Sequence, residues 1–311
     1  MPENASSADC AVNEKFVITR LVLASSAEIQ ITEGRFESLR LAWQGVSRVL
    51  SIEEKFDLVM ENYAELEVEL LRCTAQMFFF QEVSWDRASD LRNLVNRRLV
   101  NLLSAVRMYF DQVSHDLSVL QENDAPFESI RRQEHHAHLG YRVMEELRNH
   151  AQHRSLPVHV VSYAWTAPKE GTRTFTTHFC VSMDELRSEG GFKPAVFRDL
   201  SALGDAQIQL KPFVRAYLAS LTRIHVVVRG AVASKLNQWV AHLESAIHDF
   251  QELYGEEVAG LAAARIRLED GQPRGVIDSV GLFADQWLRL RRLVAKNACM
   301  RGLELHEISS S

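Results

Sequence analysis

The sequence predicts a mainly α-helical protein, a helical bundle with a small β-hairpin insertion and a C-terminal helical segment. Two observations predict it. Apolar residues recur at helical steps through residues 36–154 and again from Ile208 onward, whereas residues 157–183 switch to β-branched and aromatic runs around a Pro/Gly turn. With 311 residues, 46% of them hydrophobic and 24% charged, the chain has the composition of a globular protein with one large core or two modest domains.

Residues 1–34 read as a polar tail followed by Lys15–Thr32, a segment that fits one or two short strands or an initial helix. A first helix is expected from Phe36 to Leu50, and Ser51 with Glu54 makes a capping box for a second. That second helix places Phe56, Met60, Tyr63, Leu66, Leu70 and Met77 on one side. A third begins at Ser84 or Asp86, with a stripe from Leu91 through Leu99, Val106 and Val113 to about Leu120. So short a turn between long helices predicts an antiparallel pair. A fourth helix, from about Phe127 to Arg154, completes the bundle over residues 35–156.

Residues 157–205 read as a β-hairpin turning at Ala167–Gly171, followed by a loop with one helical turn. Residues 206–311 read as a helical segment packing on the bundle, with a long helix from Ile208 to Tyr254 that Gly230 kinks and further helices at Glu256–Leu268 and Asp278–Cys299.

The chemistry concentrates at the end of the fourth helix, in Leu139–His159. Leu139, Val143, Met144, Leu147 and Ala151 form its apolar stripe, and Arg148, Asn149, His150, Gln152, His153 and Arg154 crowd its last turns before Pro157 stops it. Arg131, Arg132, Arg142, Arg148 and Arg154 also outnumber the nearby Glu134, Glu145 and Glu146, making this stretch locally basic in a chain of net charge −6. The overall charge argues against a general nucleic-acid coat but leaves room for a local patch.

Arg148-Asn149-His150-Ala151-Gln152-His153 resembles the motif of the HEPN family, an arginine, a polar residue and, after a short spacer, a histidine late in a bundle helix. Arg131/His136, Arg154/His159 and Arg173/His178 share the spacing. Only Arg148 combines it with a following asparagine, an apolar-striped helix leading in and a proline just beyond. The resemblance implies a metal-independent endoribonuclease in which the RNA 2′-hydroxyl attacks the adjacent phosphate. His153 would move a proton, Arg148 would hold the phosphate and Asn149 would orient them, with Arg142, His150 and Arg154 as RNA-binding neighbours. It also implies a homodimer with single-stranded RNA as substrate, and a toxin or phage-defence role with an antitoxin or defence partner protein.

Ideal helix geometry points residues five apart about 140° from each other, so this reading expects the helix to loosen or end between Arg148 and His153. Three other readings stay open: Arg148 pairing with Glu145, His150 and His153 as solvated residues at the helix end, and a non-catalytic HEPN-like protein that binds RNA or a protein partner. No cofactor or metal is assigned. Among Glu134, His135, His136 and His138, Glu134 and His138 share a helix face, as do His135 and His138, but no second ligand pair completes a site. Cys10, Cys73, Cys180 and Cys299 lie far apart, no apolar run reaches membrane length, and the opening residues lack a secretory pattern. The expectation is a cytoplasmic protein with reduced thiols and no membrane partner.

Overall fold

Helix α1 runs unbroken from Glu33 to Phe80, through the point where Ser51 and Glu54 suggested a fresh start. The reason is phase: Phe36, Leu39, Ala42, Val46, Val49, Ile52, Phe56, Val59 and Tyr63 are all buried at steps of three and four, so the stripe crosses Ser51 without interruption. The computed structural model describes residues 13–22, 27–80, 85–166 and 174–300, which leaves the expected Ala167–Gly171 turn and Cys10 outside. The fold is mostly helical, 69%, with small antiparallel sheets, and no helix among the described residues is long and apolar enough to cross a membrane.

By its contacts the chain divides into two units, residues 1–50 with 232–291 and residues 51–231 with 292–311. The first unit joins two stretches far apart in the chain. Strands β1 (Asn13–Arg20), β2 (Glu28–Ile31), β6 (Leu261–Glu269) and β7 (Gln272–Gly281) form one antiparallel sheet in the order β2-β1-β6-β7. Its apolar residues Ile18, Ala263 and Val280 share a core with Phe36, Leu39 and Val46 of α1, Leu243 and Phe250 of helix α7 (Lys211–Tyr254), and Trp287 of helix α8 (Asp285–Lys296).

The β6–β7 hairpin replaces the helix expected over Glu256–Leu268 and the start of the one expected from Asp278. Ala262–Ala264 have high helix propensity, but burial against the sheet neighbours overrides it. The turn is Asp270–Gly271, with φ of 52° and 72°. Both residues have positive φ in a two-residue loop, which aspartate and glycine accept most readily.

The second unit holds the rest of α1, helices α2 (Trp85–Val119), α3 (Ala125–Ala137) and α4 (Leu139–His153), the sheet β3 (Val160–Thr166), β4 (Thr174–Ser182) and β5 (Gln207–Gln209), helices α5 (Met183–Glu189) and α6 (Pro194–Ser201), the first half of α7 and a short 3-10 turn at Asn297–Met300. The α1 and α2 stretches run antiparallel, as their short connection predicted: Lys55 pairs with Asp116 at one end and Arg98 with Glu65 at the other. The β3–β4 hairpin also follows the sequence. Helices α5 and α6 replace most of the expected loop, β5 takes the first residues of the helix expected from Ile208, and α7 passes Gly230 as one helix.

Where one helix was expected from Phe127 to Arg154, there are two. His138 leaves the helical region at φ −116°, ψ 115°, and Arg142 Nη1 caps the exposed carbonyls of His135 (3.2 Å) and His136 (2.8 Å). Gly140 then allows contact with α7, because a Cβ there would lie 2.8 Å from Ala216 Cβ.

Buried carboxylates clasp the first half of α7. Arg229 forms a bidentate pair with Glu53 at 2.8 and 2.7 Å, with His225 Nε2 at 3.2 Å from the same carboxylate. Burial alone would raise the Glu53 pKa, but the Arg229 hydrogen bonds and His225 outweigh it and bring the carboxyl down to about 2. A lowered acid pKa stabilises the fold above the ordinary value near 4.5, and this contribution is lost as pH falls toward 2. Glu53→Gln is expected to cost about 3 kcal/mol in denaturant unfolding at pH 7. The gap from wild type should narrow between pH 4.5 and 2; a gap constant with pH would contradict the assignment.

Candidate functional site at the end of helix α4

Helix α4 buries Val143, Met144, Leu147 and His150 on one side and turns Arg148, Asn149, Gln152 and His153 outward. It stays regular through His153, and the Arg154 N–H closes the last turn on the His150 carbonyl at 2.8 Å. The helix therefore does not loosen between Arg148 and His153 as the sequence reading required. Pro157 acts beyond the last turn, where residues 154–157 already run outside the helix. On one chain the two side chains leave the axis about 140° apart, with Asn149 between them.

The Arg148 guanidinium is held by neutral oxygens, donating from Nη2 to Asn149 Oδ1 at 2.5 Å and from Nη1 to Gln152 Oε1 at 3.3 Å. Glu145 is not its partner and instead accepts from the Tyr217 hydroxyl. Among the described residues no carboxylate pairs with Arg148, and its Nε is buried without an acceptor. His153 is exposed and makes no side-chain hydrogen bond among the described residues. Arg154 is exposed and lies along Gly191. Arg142 is engaged, capping α3 and reaching Asp199 at 3.2 Å.

His150 points the other way. It is 2% exposed, so it does not share the outward surface expected of it. Its Nε2 lies 2.8 Å from Glu189 Oε2 and 3.0 Å from Ser155 Oγ, and Ser155 donates to Glu189 at 2.7 Å. A hydrolytic triad needs the hydroxyl and the carboxylate on opposite ring nitrogens. Here both meet Nε2, so this trio lacks the relay geometry. Burial lowers the His150 pKa against the opposing pull of Glu189, whose own carboxyl is lowered mainly by the Ser155 hydrogen bond.

Beside it, His159 Nδ1 faces the Ser182 N–H at 3.1 Å and Glu185 Oε2 at 3.5 Å. Asn96 fixes this return strand: its Nδ2 donates to the Val158 carbonyl at 2.9 Å and its Oδ1 accepts from the Val158 N–H at 2.8 Å. A buried side-chain amide thus does the work of a neighbouring strand.

The inward turn of His150 was legible, because Val143, Leu147 and His150 fall at steps of four and three on the apolar stripe. Its meeting with His159 and Glu189 was not, since Glu189 arrives on α5, whose C-terminus is set by Gly190 at φ 65°. The other histidine group is accounted for internally. Glu134 is taken by Arg223 at 2.9 and 2.8 Å, with His138 Nε2 at 3.2 Å.

No family model, curated protein or solved structure matches this chain.

Asn96→Ala removes both bonds to Val158 and leaves the backbone groups buried. The expected cost is about 2 kcal/mol in denaturant unfolding, with faster amide exchange at Val158. Unchanged exchange there would show that the strand is held by other means.

Proposed function

We propose that this protein is a metal-independent endoribonuclease of the HEPN type, acting through Arg148, Asn149 and His153. The observation that carries the reading is the uncompensated charge of Arg148. An arginine held by two amide oxygens instead of a carboxylate keeps its cation for an anionic ligand, and a planar fork suits two phosphate oxygens. His153, about 140° around the helix from Arg148, is exposed and makes no side-chain hydrogen bond among the described residues.

In this reading the ribose 2′-hydroxyl attacks the adjacent phosphorus while a base takes its proton. Arg148 stabilises the charge that grows on the non-bridging oxygens, and the 5′-oxygen leaves with a proton. The products are a 2′,3′-cyclic phosphate and a 5′-hydroxyl. His153 handles one of the two protons, and Asn149 is a positioning residue that aims the guanidinium. Two copies pairing through the ends of their α4 helices would bring two motifs to one cleft, supplying the convergence that a regular helix denies to one chain. Arg154 would flank that cleft as an RNA contact, whereas Arg142 would first have to release Asp199. A toxin or defence role follows if a partner protein masks this arc.

The test is cleavage of single-stranded RNA by the full chain in excess chelator. Arg148→Ala and His153→Ala should each lower the rate by about 100-fold or more, and Arg148→Lys should not restore it. Asn149→Ala should cost less than either. Wild-type protein that binds RNA without cutting it, or cleavage that chelator abolishes, overturns the proposal.

A further inference from the structure

We propose that His150, His159 and Glu189 bind one divalent transition-metal ion of the Zn²⁺ class, clipping the end of α4 and the start of β3 to the end of α5. Each residue offers a ligand atom, and these atoms lie within 4.8 Å of one another. An independent observation points to a ligand at the same place. His150 Nδ1 and His159 Nε2 are buried nitrogens with no hydrogen-bond partner, on residues only 2% and 9% exposed. A buried polar atom left unpaired costs about 1–3 kcal/mol; an ion on His159 Nε2 would satisfy one such atom, while His150 turns its other nitrogen, Nε2, to the Glu189 carboxylate at 2.8 Å.

The donor set selects the ion. Two imidazoles and one carboxylate suit zinc and its first-row neighbours, whereas calcium and magnesium require mostly oxygen ligands. Three protein ligands leave a fourth position for water, and the Glu189 side chain, 31% exposed, opens the site toward solvent. Tetrahedral bonds of about 2.0–2.1 Å place the donors a little over about 3 Å apart, so the side chains draw together on binding.

Outer partners are already present. Ser155 Oγ donates to Glu189 and fixes the carboxylate. The Ser182 N–H facing His159 Nδ1 keeps the ring proton on Nε2 in the metal-free protein. Ligation through Nε2 moves that proton to Nδ1, which gives up the Ser182 N–H and turns to the Glu185 carboxylate, 3.5 Å away. The site is separate from the outward Arg148 arc, and its test reads binding rather than cleavage.

The full chain, stripped with chelator and exchanged into chelator-free buffer, is titrated with ZnCl₂ by calorimetry and followed by thermal melting; CoCl₂ serves as a spectroscopic probe. Wild type should bind one Zn²⁺ per chain, melt at a higher temperature with metal, and give Co²⁺ the visible absorption of a tetrahedral site. His159→Gln and Glu189→Gln should each weaken binding by about 100-fold or more, while His136→Asn, in the other histidine group, should bind as wild type does. Circular dichroism checks that the variants fold. If His159→Gln does not fold, Glu189→Gln decides, because its side chain is partly exposed. Absence of stoichiometric binding in wild type, or full binding in Glu189→Gln, overturns the proposal.

Discussion

Three buried carboxylates, Glu53, Glu67 and Glu134, lock the first half of α7 in place. Glu53 holds Arg229, Glu67 holds Arg215 and Lys211, and Glu134 holds Arg223. Each acid is at most 6% exposed at its side chain, so each is stable only while its cation is beside it. Lys211, Arg215 and Arg229 fall within about 40° of one another around the helix, which sets its rotation as well as its place. The opposite side of α7 then meets α4: Phe213 and Ala216 lie over Gly140, Tyr141 packs edge-on to Tyr217, and the Tyr217 hydroxyl donates to Glu145. Glu145 is thereby occupied, and Arg148, one turn farther along, is left without an acid.

The end of α4 thus separates two kinds of chemistry by rotation alone. Inward, His150 joins His159 and Glu189, the two imidazoles buried and the carboxylate partly exposed, beside the Asn96 clamp on Val158. Outward, His153 and Arg154 are exposed and Arg148 and Asn149 partly so. Residues adjacent in sequence therefore serve different proposals, one fastening the chain and the other presenting charge to an anion. Any ion that tightened the inner cluster would also steady the outer arc, since both hang from the same last turn.

Much of this was legible in the sequence, and the failures have physical causes. The long stripes of α2 and α7 and the β3–β4 hairpin follow directly from periodicity. Ser51 and Glu54 had the residues of a helix start, but the apolar phase across them was continuous, and phase prevailed. The break at His138 leaves no proline or helix-ending glycine to read; it is held by Arg142 and by contact with α7, both tertiary. Ala262–Ala264 looked helical by propensity, although Asp270–Gly271 marked the hairpin. In the candidate site, the burial of His150 could be read from its spacing to Val143 and Leu147. The approach of Glu189 and the escape of Arg148 from Glu145 depend on residues remote in sequence.

The most direct measurement of the central claim is the chemistry of the RNA ends left by the purified protein. Cleavage by Arg148 and His153 must leave a 2′,3′-cyclic phosphate on one fragment and a 5′-hydroxyl on the other, because the nucleophile is the ribose itself. Fragments carrying a 5′-phosphate and a 3′-hydroxyl would contradict the account, since an external water would then have done the cutting.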